Sequence, residues 1–402
     1  MSRSDPSASP EFWRCPQCRT PNPRASYLTH CVGCGTPRPA SEAPVEAAKP
    51  QARPAPRSIR PDPQPPKPDR RRRGLAVASA TWAFAVVVLV ALALARWLGD
   101  HWWLATGILY MPRWAFLIPL PVLGLAAAWA RWFRLWTVQA AIALVVAGPL
   151  MGLSLPLWQW WNAEPEGTRW RIMTLNTGSG PIDVVGLTWL IEQEGLDLIC
   201  FQEIQTGFPK ALDVYLAENN WHRTADGRII SRFPILQDIG TIQHLYGPKG
   251  YLGTNVSRAR IEPSPGIEID IVSAHLPTVR PSLNTLLEGI PTKSQAQLEK
   301  RRQNVTRSLG ELLPEPGVPL LVGGDLNTPS ESPLLDPLRS FLRNAFDHAG
   351  WGYGYTTPTE MPWVRIDHVL ASHEFAITRA WVGPDLGSDH LPMIAEVVLV
   401  ER

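Results

Sequence analysis

Two groups of residues in this chain have types and spacings suited to chemistry. The first is Cys15-Pro-Gln-Cys18 followed, twelve residues later, by Cys31-Val-Gly-Cys34. Two Cys-x-x-Cys pairs at this separation can close a tetrahedral thiolate site on zinc. Gly33 and Gly35 permit the tight turn such a knuckle needs. So short a segment cannot fold on apolar burial alone, so the metal would supply its folding energy. The competing reading is a disulfide pair in a secreted arm. The second group lies in the C-terminal half: Asn176, Glu203, His275, Asp325, Asn327, Asp367, Asp389 and His390. Each falls where an apolar run stops or starts. Singly these are bland, since a lone Asp-Leu-Asn is usually a turn. Together they describe polar, metal-competent groups held at strand ends, where a sheet fixes them rigidly.

The elements that must position the second group are legible as alternating apolar runs. Arg171–Leu175 reads as a strand ending at Asn176, and Leu196–Phe201 as a strand ending at Gln202-Glu203. Between them, 183–195 has helical spacing. Ile267–Val272 alternates and leads to His275. Gln295–Leu313 is a long amphipathic helix, and Pro319–Val322 a buried strand leading to Gly323-Gly-Asp325-Leu-Asn327. Val369-Leu370 continues a strand after Asp367, and a last strand, Met393–Val400, follows His390.

Upstream the texture is different. Residues 1–73 carry 14 Lys+Arg against 6 Asp+Glu, whereas 168–402 carry 20 against 27. Eleven of the 41 prolines lie between Pro37 and Pro68, which marks 37–73 as a disordered Pro-rich linker. Arg70-Arg71-Arg72-Arg73 then precedes 22 uncharged residues, Gly74–Ala95. Two further uncharged runs follow, Trp114–Ala130 and Leu135–Ala163. They predict about three transmembrane helices within 74–163, near 74–95, 114–130 and 135–157. Eleven of the 18 tryptophans fall in 74–167, many at the ends of these runs, as an interfacial aromatic belt requires. A buried soluble helix is the alternative. A cleaved signal peptide does not fit a first run so far from the start. By the positive-inside rule the arginines before the first run belong in the cytoplasm. Three spans then put the C-terminal domain on the outer, periplasmic or extracellular, side; two would return it to the cytoplasm. Four reduced cysteines inside and an unpaired Cys200 outside agree with the first arrangement.

In their order along the chain, the C-terminal motifs resemble those of the endonuclease/exonuclease/phosphatase superfamily. The matching pieces are Thr174-Leu-Asn176, Cys200-Phe-Gln-Glu203, Ile230-Ser-Arg-Phe-Pro-Ile235, Ser273-Ala-His275-Leu, Gly324-Asp-Leu-Asn327, Arg365-Ile-Asp-His368 and Gly387-Ser-Asp-His390. The resemblance covers 169–402, within a domain taken as 168–402, and none of the chain before it. It implies an α/β fold, a four-layer α/β sandwich of two mixed sheets covered by helices. It further implies that Glu203, supported by Asn176, ligates Mg²⁺ or Mn²⁺, with Asp389 near the metal. Asp325 would orient or deprotonate the attacking water and Asn327 hold a phosphate oxygen. His275 would contact the phosphate. His390 would bind phosphoryl oxygens, with Asp367 or Asp389 fixing its tautomer. No member of the set is missing. In the head, residues 11–36, Trp13 before Cys15 and Asn22 after Cys18 resemble the Ran-binding-protein type of zinc finger, although the gap from Asn22 to Cys31 is longer than that family's. Such fingers bind single-stranded RNA or protein.

These readings converge on a membrane-anchored, divalent-metal-dependent phosphoester hydrolase, most simply a phosphodiesterase acting on nucleic acid or phospholipid. A rival reading is a membrane-anchored binding or signalling protein whose finger recruits a cytosolic protein or RNA, with a weak or inactive hydrolase domain. The acidic C-terminal domain lacks the basic footprint of a nucleic-acid binder. Lys300, Arg301 and Arg302 cluster, but on a helix they read as a solvated face. The Gly/Tyr-rich segments Tyr246–Tyr251 and Trp351–Tyr355 suit a pocket wall, a membrane contact or plain packing.

Overall fold

Residues 12–24, 28–40, 70–178, 180–204, 209–244 and 254–400 are described by a computed structural model. Most of the Pro-rich segment 37–73 and the stretch Tyr246–Tyr251 lie outside these residues. The chain divides into two compact units, Met1–Pro68 and Asp69–Arg402.

In the first unit, β1 (Phe12–Arg14) pairs antiparallel with β2 (Pro21–Pro23). The turn between them carries Cys15 and Cys18, and a second turn carries Cys31 and Cys34. Trp13, Cys15 and Cys31 form its small buried cluster.

The second unit opens with the apolar helices. α1 (Arg70–Ala93) continues through a wider turn to Leu98, α2 (Trp103–Tyr110) is short, α3 is Pro119–Ala130, and α4 (Leu135–Val145) runs on to Leu150. α1, α3 and α4 pack on one another through Val77, Val88, Ala127, Ile142 and Val146. Arg70 donates to the Arg131 carbonyl and the Arg73 guanidinium lies 4.4 Å from the Trp129 ring, so these cationic ends share one end of the bundle. Two helices, Arg70–His101 and Arg113–Ala130, are long and apolar enough to cross a membrane. The third expected span, 135–157, is helical only over Leu135–Leu150, about 24 Å at 1.5 Å per residue. Pro149 withdraws an N–H from its last turn. From there Ser154 pairs with Gly352 instead of continuing the helix.

The rest of the unit is an α/β sandwich. Its remaining elements are β3 (Arg169–Asn176), α5 (Val184–Glu194), β4 (Leu198–Gln202), α6 (Lys210–Glu218), β5 (His222–Arg223), β6 (Ile229–Ser231), β7 (Ile235–His244), β8 (Thr254–Ser264), β9 (Ile267–His275), α7 (Arg280–Leu287), α8 (Pro291–Leu309), β10 (Leu320–Asp325), β11 (Leu342–Asn344), α9 (Ala345–Ala349), β12 (Asp367–Ser372), β13 (Phe375–Val382) and β14 (Met393–Leu399). They form two six-stranded sheets, ordered β13-β14-β3-β4-β6-β5 and β11-β12-β10-β9-β8-β7.

Alternation along the strands explains the layering. Ile172, Leu198 and Cys200 face the second sheet and meet Ile271, Leu321 and Val369. Their neighbours Met173, Leu175, Ile199 and Phe201 face the other way, under α5 and α6. On the far side Val272, Ala274 and Val322 pack beneath Val305 and Leu309 of α8. Helix, sheet, sheet and helix make the four expected layers. Each sheet is mixed, with parallel pairs β3–β4 and β9–β10 at its centre. The apolar region and the sandwich fall within the one unit Asp69–Arg402.

Candidate active site

Strand register assembles the site. His275 lies beside Asp325 in the parallel β9–β10 pair, and Asp325 lies beside Asp367 in the antiparallel β10–β12 pair. Three chemically active side chains thus stand in a row across one sheet edge. In the other sheet Asn176 ends β3 and Glu203 follows β4, while His390 precedes β14 at the same edge. The sheets come together here because β10 carries glycines. A methyl group on Gly323 would lie 2.9 Å from Cβ of Cys200 and 3.1 Å from Cβ of Thr174 in the facing sheet, while one on Gly324 would meet the Ala274 carbonyl of the adjacent strand at 2.3 Å.

Asn176 joins the two edges. Its Nδ2 donates to Asp325 at 2.9 Å and to Glu203 at 3.2 Å, while its Oδ1 accepts from the Gly178 N–H. The other carboxylate oxygen of Asp325 accepts from the Asn327 backbone N–H at 2.7 Å. Asn327 Nδ2 donates to the Leu276 carbonyl at 2.9 Å and to Asp325 at 3.2 Å. His275 Nε2 stands 3.6 Å from Glu203 and 3.7 Å from Asp325. Glu203 and Asn327 both hold left-handed backbone, φ 60° and 49°, a cost that surrounding structure must offset and that clusters at functional positions.

His390 Nδ1 meets Asp367 at 2.8 Å, and its Nε2 lies 3.9 Å from Asp325. Thr356 donates to the same Asp367 oxygen at 2.6 Å. Asp367, not Asp389, therefore orients the imidazole. Burial disfavours a charge on His390, but the carboxylates of Asp367, Asp325 and Asp389 outweigh it and raise its pKa to about 10. Burial, reinforced by Asp367, pushes Asp325 above the usual carboxylate range. Asp389 contributes charge to His390 but no hydrogen bond to its ring. It is exposed and ion-paired with Arg280 at 3.1 Å.

The carboxylates of Glu203 and Asp325, bridged by the Asn176 amide N–H groups, offer the hard oxygen atoms that a Mg²⁺ or Mn²⁺ ion takes. Burial first, and then the Asp367 carboxylate, raise the pKa of Asp325, and a divalent cation would relieve both. Ligand atoms of Asp325, Asp367 and His390 lie within 4.8 Å of one another, and Glu203 stands across His275 from Asp325, so these residues would hold such an ion.

Behind the site is a polar network that sequence reading missed. Arg301, expected on a solvated face, is buried. It donates to the carbonyls of Pro277 and Asn327 at 2.9 and 2.7 Å, to Thr328 Oγ1 at 2.7 Å and to Asp100 at 2.8 Å. Tyr110 Oη also donates to the Asn327 carbonyl, at 2.9 Å. Arg113 pairs with Glu331 at 2.9 Å. The signal lay in α8, where Ser294, Leu298, Arg301, Val305 and Ser308 form one buried stripe. Lys300 is exposed and Arg302 pairs with Glu299. Within Trp351–Tyr355, Tyr353 and Tyr355 donate to carbonyls of Ala147 and Met151, so this segment docks on the end of the third apolar helix.

In the other unit the four thiols of Cys15, Cys18, Cys31 and Cys34 lie within 4.8 Å of one another and none is in a disulfide. Cys15–Cys34 and Cys18–Cys31 Sγ separations are 3.6 and 3.5 Å. Zinc–sulfur bonds of about 2.3 Å require tetrahedral edges of about 3.8 Å, so the set fits zinc. Buried Asn22 accepts from the Val32 N–H and donates to Cys31 Sγ, bracing one knuckle against the other.

A sequence profile described as the Endonuclease/Exonuclease/phosphatase family matches residues 173–390. Among solved structures, an endonuclease/exonuclease/phosphatase family protein from Bacteroides thetaiotaomicron superposes with a TM-score of 0.45 at 18% identity, covering 59% of this chain and 100% of its own. A mannosyl-6-phosphatase of the same organism gives 0.42 at 15%, covering 57% and 100%. The human Nocturnin catalytic domain with bound sulfate gives 0.38 at 14%, covering 58% and 95%. No curated protein sequence matches the chain.

Proposed function

Because the chain belongs to the endonuclease/exonuclease/phosphatase family and is a phosphoester hydrolase, we propose that it is a membrane-anchored, divalent-metal-dependent phosphodiesterase. The observation that carries the reading is the Asp325 carboxylate, buried and gripped on both oxygens by Asn176 and Asn327 with His275 and His390 around it. Such a carboxylate is aimed, not merely present.

In this reading Asp325 orients a water in line with the scissile P–O bond and accepts its proton as the water oxygen attacks phosphorus. His390, protonated and held by Asp367, directs Nε2–H at the phosphoryl oxygens as their charge grows. His275 contacts a second phosphoryl oxygen. Asn327, whose amide donates to the Leu276 carbonyl and to Asp325, holds the base in place. The leaving alkoxide takes its proton from solvent. Glu203 and Asp325 would hold a divalent ion, which would supply charge neutralisation for the phosphate and leaving group.

Membrane anchoring is supported by the outer faces of the apolar helices. Trp82, Val86, Leu89, Val122, Leu125, Trp129 and Leu144 are all exposed there, an apolar surface far beyond that of ordinary soluble helices. Arg70, Arg73 and Arg131 share one end of that bundle and the sandwich packs on the other, which supports a cytoplasmic N-terminus and a catalytic domain on the outer side. An acidic catalytic domain beside a lipid surface suits a phospholipid substrate better than a nucleic acid. The finger's partner, a protein or single-stranded RNA, belongs to a separate reading in which it recruits a cytosolic component.

The test is hydrolysis of bis-nitrophenyl phosphate and nitrophenyl phosphate by the full chain in detergent, with Mg²⁺, Mn²⁺ or chelator, beside Asp325→Asn. Metal-dependent turnover favouring the diester and lost in the variant is the expected result. Turnover unaffected by chelator, or by the variant, refutes the mechanism. A preference for the monoester refutes the diester assignment alone.

A further inference from the structure

The hydrolase uses one edge of the two sheets. A separate cavity of about 470 Å³, of mixed polar and apolar lining, opens where the end of α1 and the turn after α4 meet β11 and the chain around Ser330. Among its lining residues are Arg96, Arg339, Arg343 and His348, with two carboxylates, Glu331 and Asp347.

The carboxylates are committed elsewhere. Glu331 is bound to the buried Arg113, and Asp347 to Arg365, and neither arginine lines the cavity. The three lining arginines are under-used by comparison. Arg343 makes its hydrogen bond to the Phe375 carbonyl, its Nε is buried without a partner, and no carboxylate pairs with it among the described residues. Among the described residues Arg96 donates to the Pro149 carbonyl, at 3.5 Å, and pairs with no carboxylate. Arg339 donates to the Ser330 carbonyl at 2.6 Å and has an exposed partner in Asp336 at 3.3 Å, with no buried carboxylate against it among the described residues. Burial, followed by the charge of Arg343, lowers the pKa of His348, which leaves it a neutral hydrogen-bonding group in the wall.

A guanidinium presents paired N–H groups that match two oxygens of a phosphate, and a half-enclosed site strengthens the charge-assisted bonds. Three such groups around one cavity, with the local acids already neutralised, select an anion. Position narrows its source. Arg96 follows the first apolar helix, beside the exposed Trp97, and Trp160 and Trp161 are exposed in the segment leading from the apolar helices to β3. Tryptophans with an arginine-lined cavity are what a lipid headgroup region would meet.

We propose that this cavity is a second, non-catalytic phosphate-binding site that holds the headgroup phosphate of an anionic phospholipid. The lipid source rests on the membrane reading of the apolar helices; the phosphate site does not.

The experiment uses the full chain with chelator present, so that no divalent ion assists anion binding at the catalytic site. Thermal unfolding is followed in zwitterionic detergent with added inorganic phosphate, and in nanodiscs of phosphatidylcholine with or without phosphatidylglycerol. The wild type should be stabilised by phosphate and by the anionic lipid. Asp325→Asn should keep both responses. Arg343→Gln should weaken phosphate binding about tenfold or more and lose the lipid response, with metal-dependent hydrolysis of the soluble diester unchanged. Arg339→Gln, at a more exposed position, serves should Arg343→Gln fail to fold. Equal phosphate responses in wild type and both arginine variants overturn the site. A phosphate response without preference for phosphatidylglycerol overturns the lipid source and leaves a soluble phosphate ligand. Failure of the chain to enter nanodiscs, with the phosphate response intact in detergent, overturns the membrane reading alone.

Discussion

Asp100 and Arg301 meet at 2.8 Å, and neither side chain is more than 1% exposed. One lies in the turn joining the first two apolar helices; the other is on the helix that backs the catalytic loops. Asp100 also accepts from Ser332 at 2.6 Å, and Arg301 spans the ends of both the His275 and the Asp325 strands. The segment between the apolar helices is therefore part of the catalytic scaffold. Removing one partner of a buried ion pair leaves an uncompensated charge and costs about 3–5 kcal/mol. Asp100→Ala should lower the midpoint of thermal unfolding by several degrees and reduce turnover. A fragment of 168–402, lacking Asp100 and Tyr110, should be less stable and less active than one starting at 70. Equal melting of the two fragments would show that the pair carries no weight.

The Asp367–His390 contact gives a second expectation. Asp367→Asn replaces the charge that holds the imidazole protonated but keeps its shape. Removing a positioned proton-handling group typically costs about 10²–10⁴ in rate. Turnover of the diester should fall by about 10² or more, with little change in KM, because the contact acts on charge that develops as the P–O bond breaks. Asp389→Asn should do much less, since that side chain is exposed and tied to Arg280. The reverse order, measured by steady-state kinetics, would move the orienting role to Asp389.

The site was legible because each of its residues ends or begins an apolar strand, and strand register then brings His275, Asp325 and Asp367 side by side without further information. What sequence reading missed was polar and buried. β8 carries Arg258 and Arg260, which close on fully buried Asp270, and its hairpin partner β7 is largely polar. No hydrophobic alternation announces such a pair. Arg301 was read by charge as solvated, although its spacing from Leu298 and Val305 put it on the buried stripe. Its partners, Asp100 and Tyr110, lie some two hundred residues upstream, in a region that composition marks only as apolar. The shortfall of the third apolar helix traces to Pro149 and to the docking of Ser154 on Gly352, a tertiary contact that hydropathy cannot report.

Stability should fall in mild acid through His368. This buried imidazole accepts from Asn344 and donates to the Thr328 carbonyl, one residue beyond Asn327. Burial, helped by the Arg365 charge, lowers its pKa from 6.5 to about 4. Above pH 6.5 it is neutral in both states and contributes no pH dependence. Between 6.5 and about 4 the unfolded chain binds a proton that the folded chain refuses, so stability declines as pH falls. At pH 5 the loss is about 2 kcal/mol. Denaturant unfolding of wild type and His368→Gln at pH 7 and pH 5 should show a smaller acid loss in the variant. An identical loss in both would assign the effect to other groups.

The zinc knuckle should fail independently of the hydrolase. Its buried cluster is Trp13, Cys15 and Cys31, far too little apolar surface to order the segment without metal. Cys31 is poised for metal. Burial opposes its thiolate, but hydrogen bonds from the Gly33 N–H and Asn22 lower its pKa to about 6. Elemental analysis should find one zinc per chain beyond the ion of the catalytic site. Cys18→Ser should abolish that zinc and the hydrogen-exchange protection of residues 12–40. Metal-dependent hydrolysis of the soluble diester should persist, because the catalytic residues all lie within the unit Asp69–Arg402. Loss of hydrolysis on removing the knuckle's zinc would mean that the two units are energetically coupled. Retention of protected amides without zinc would mean that packing around Trp13 suffices to fold the segment.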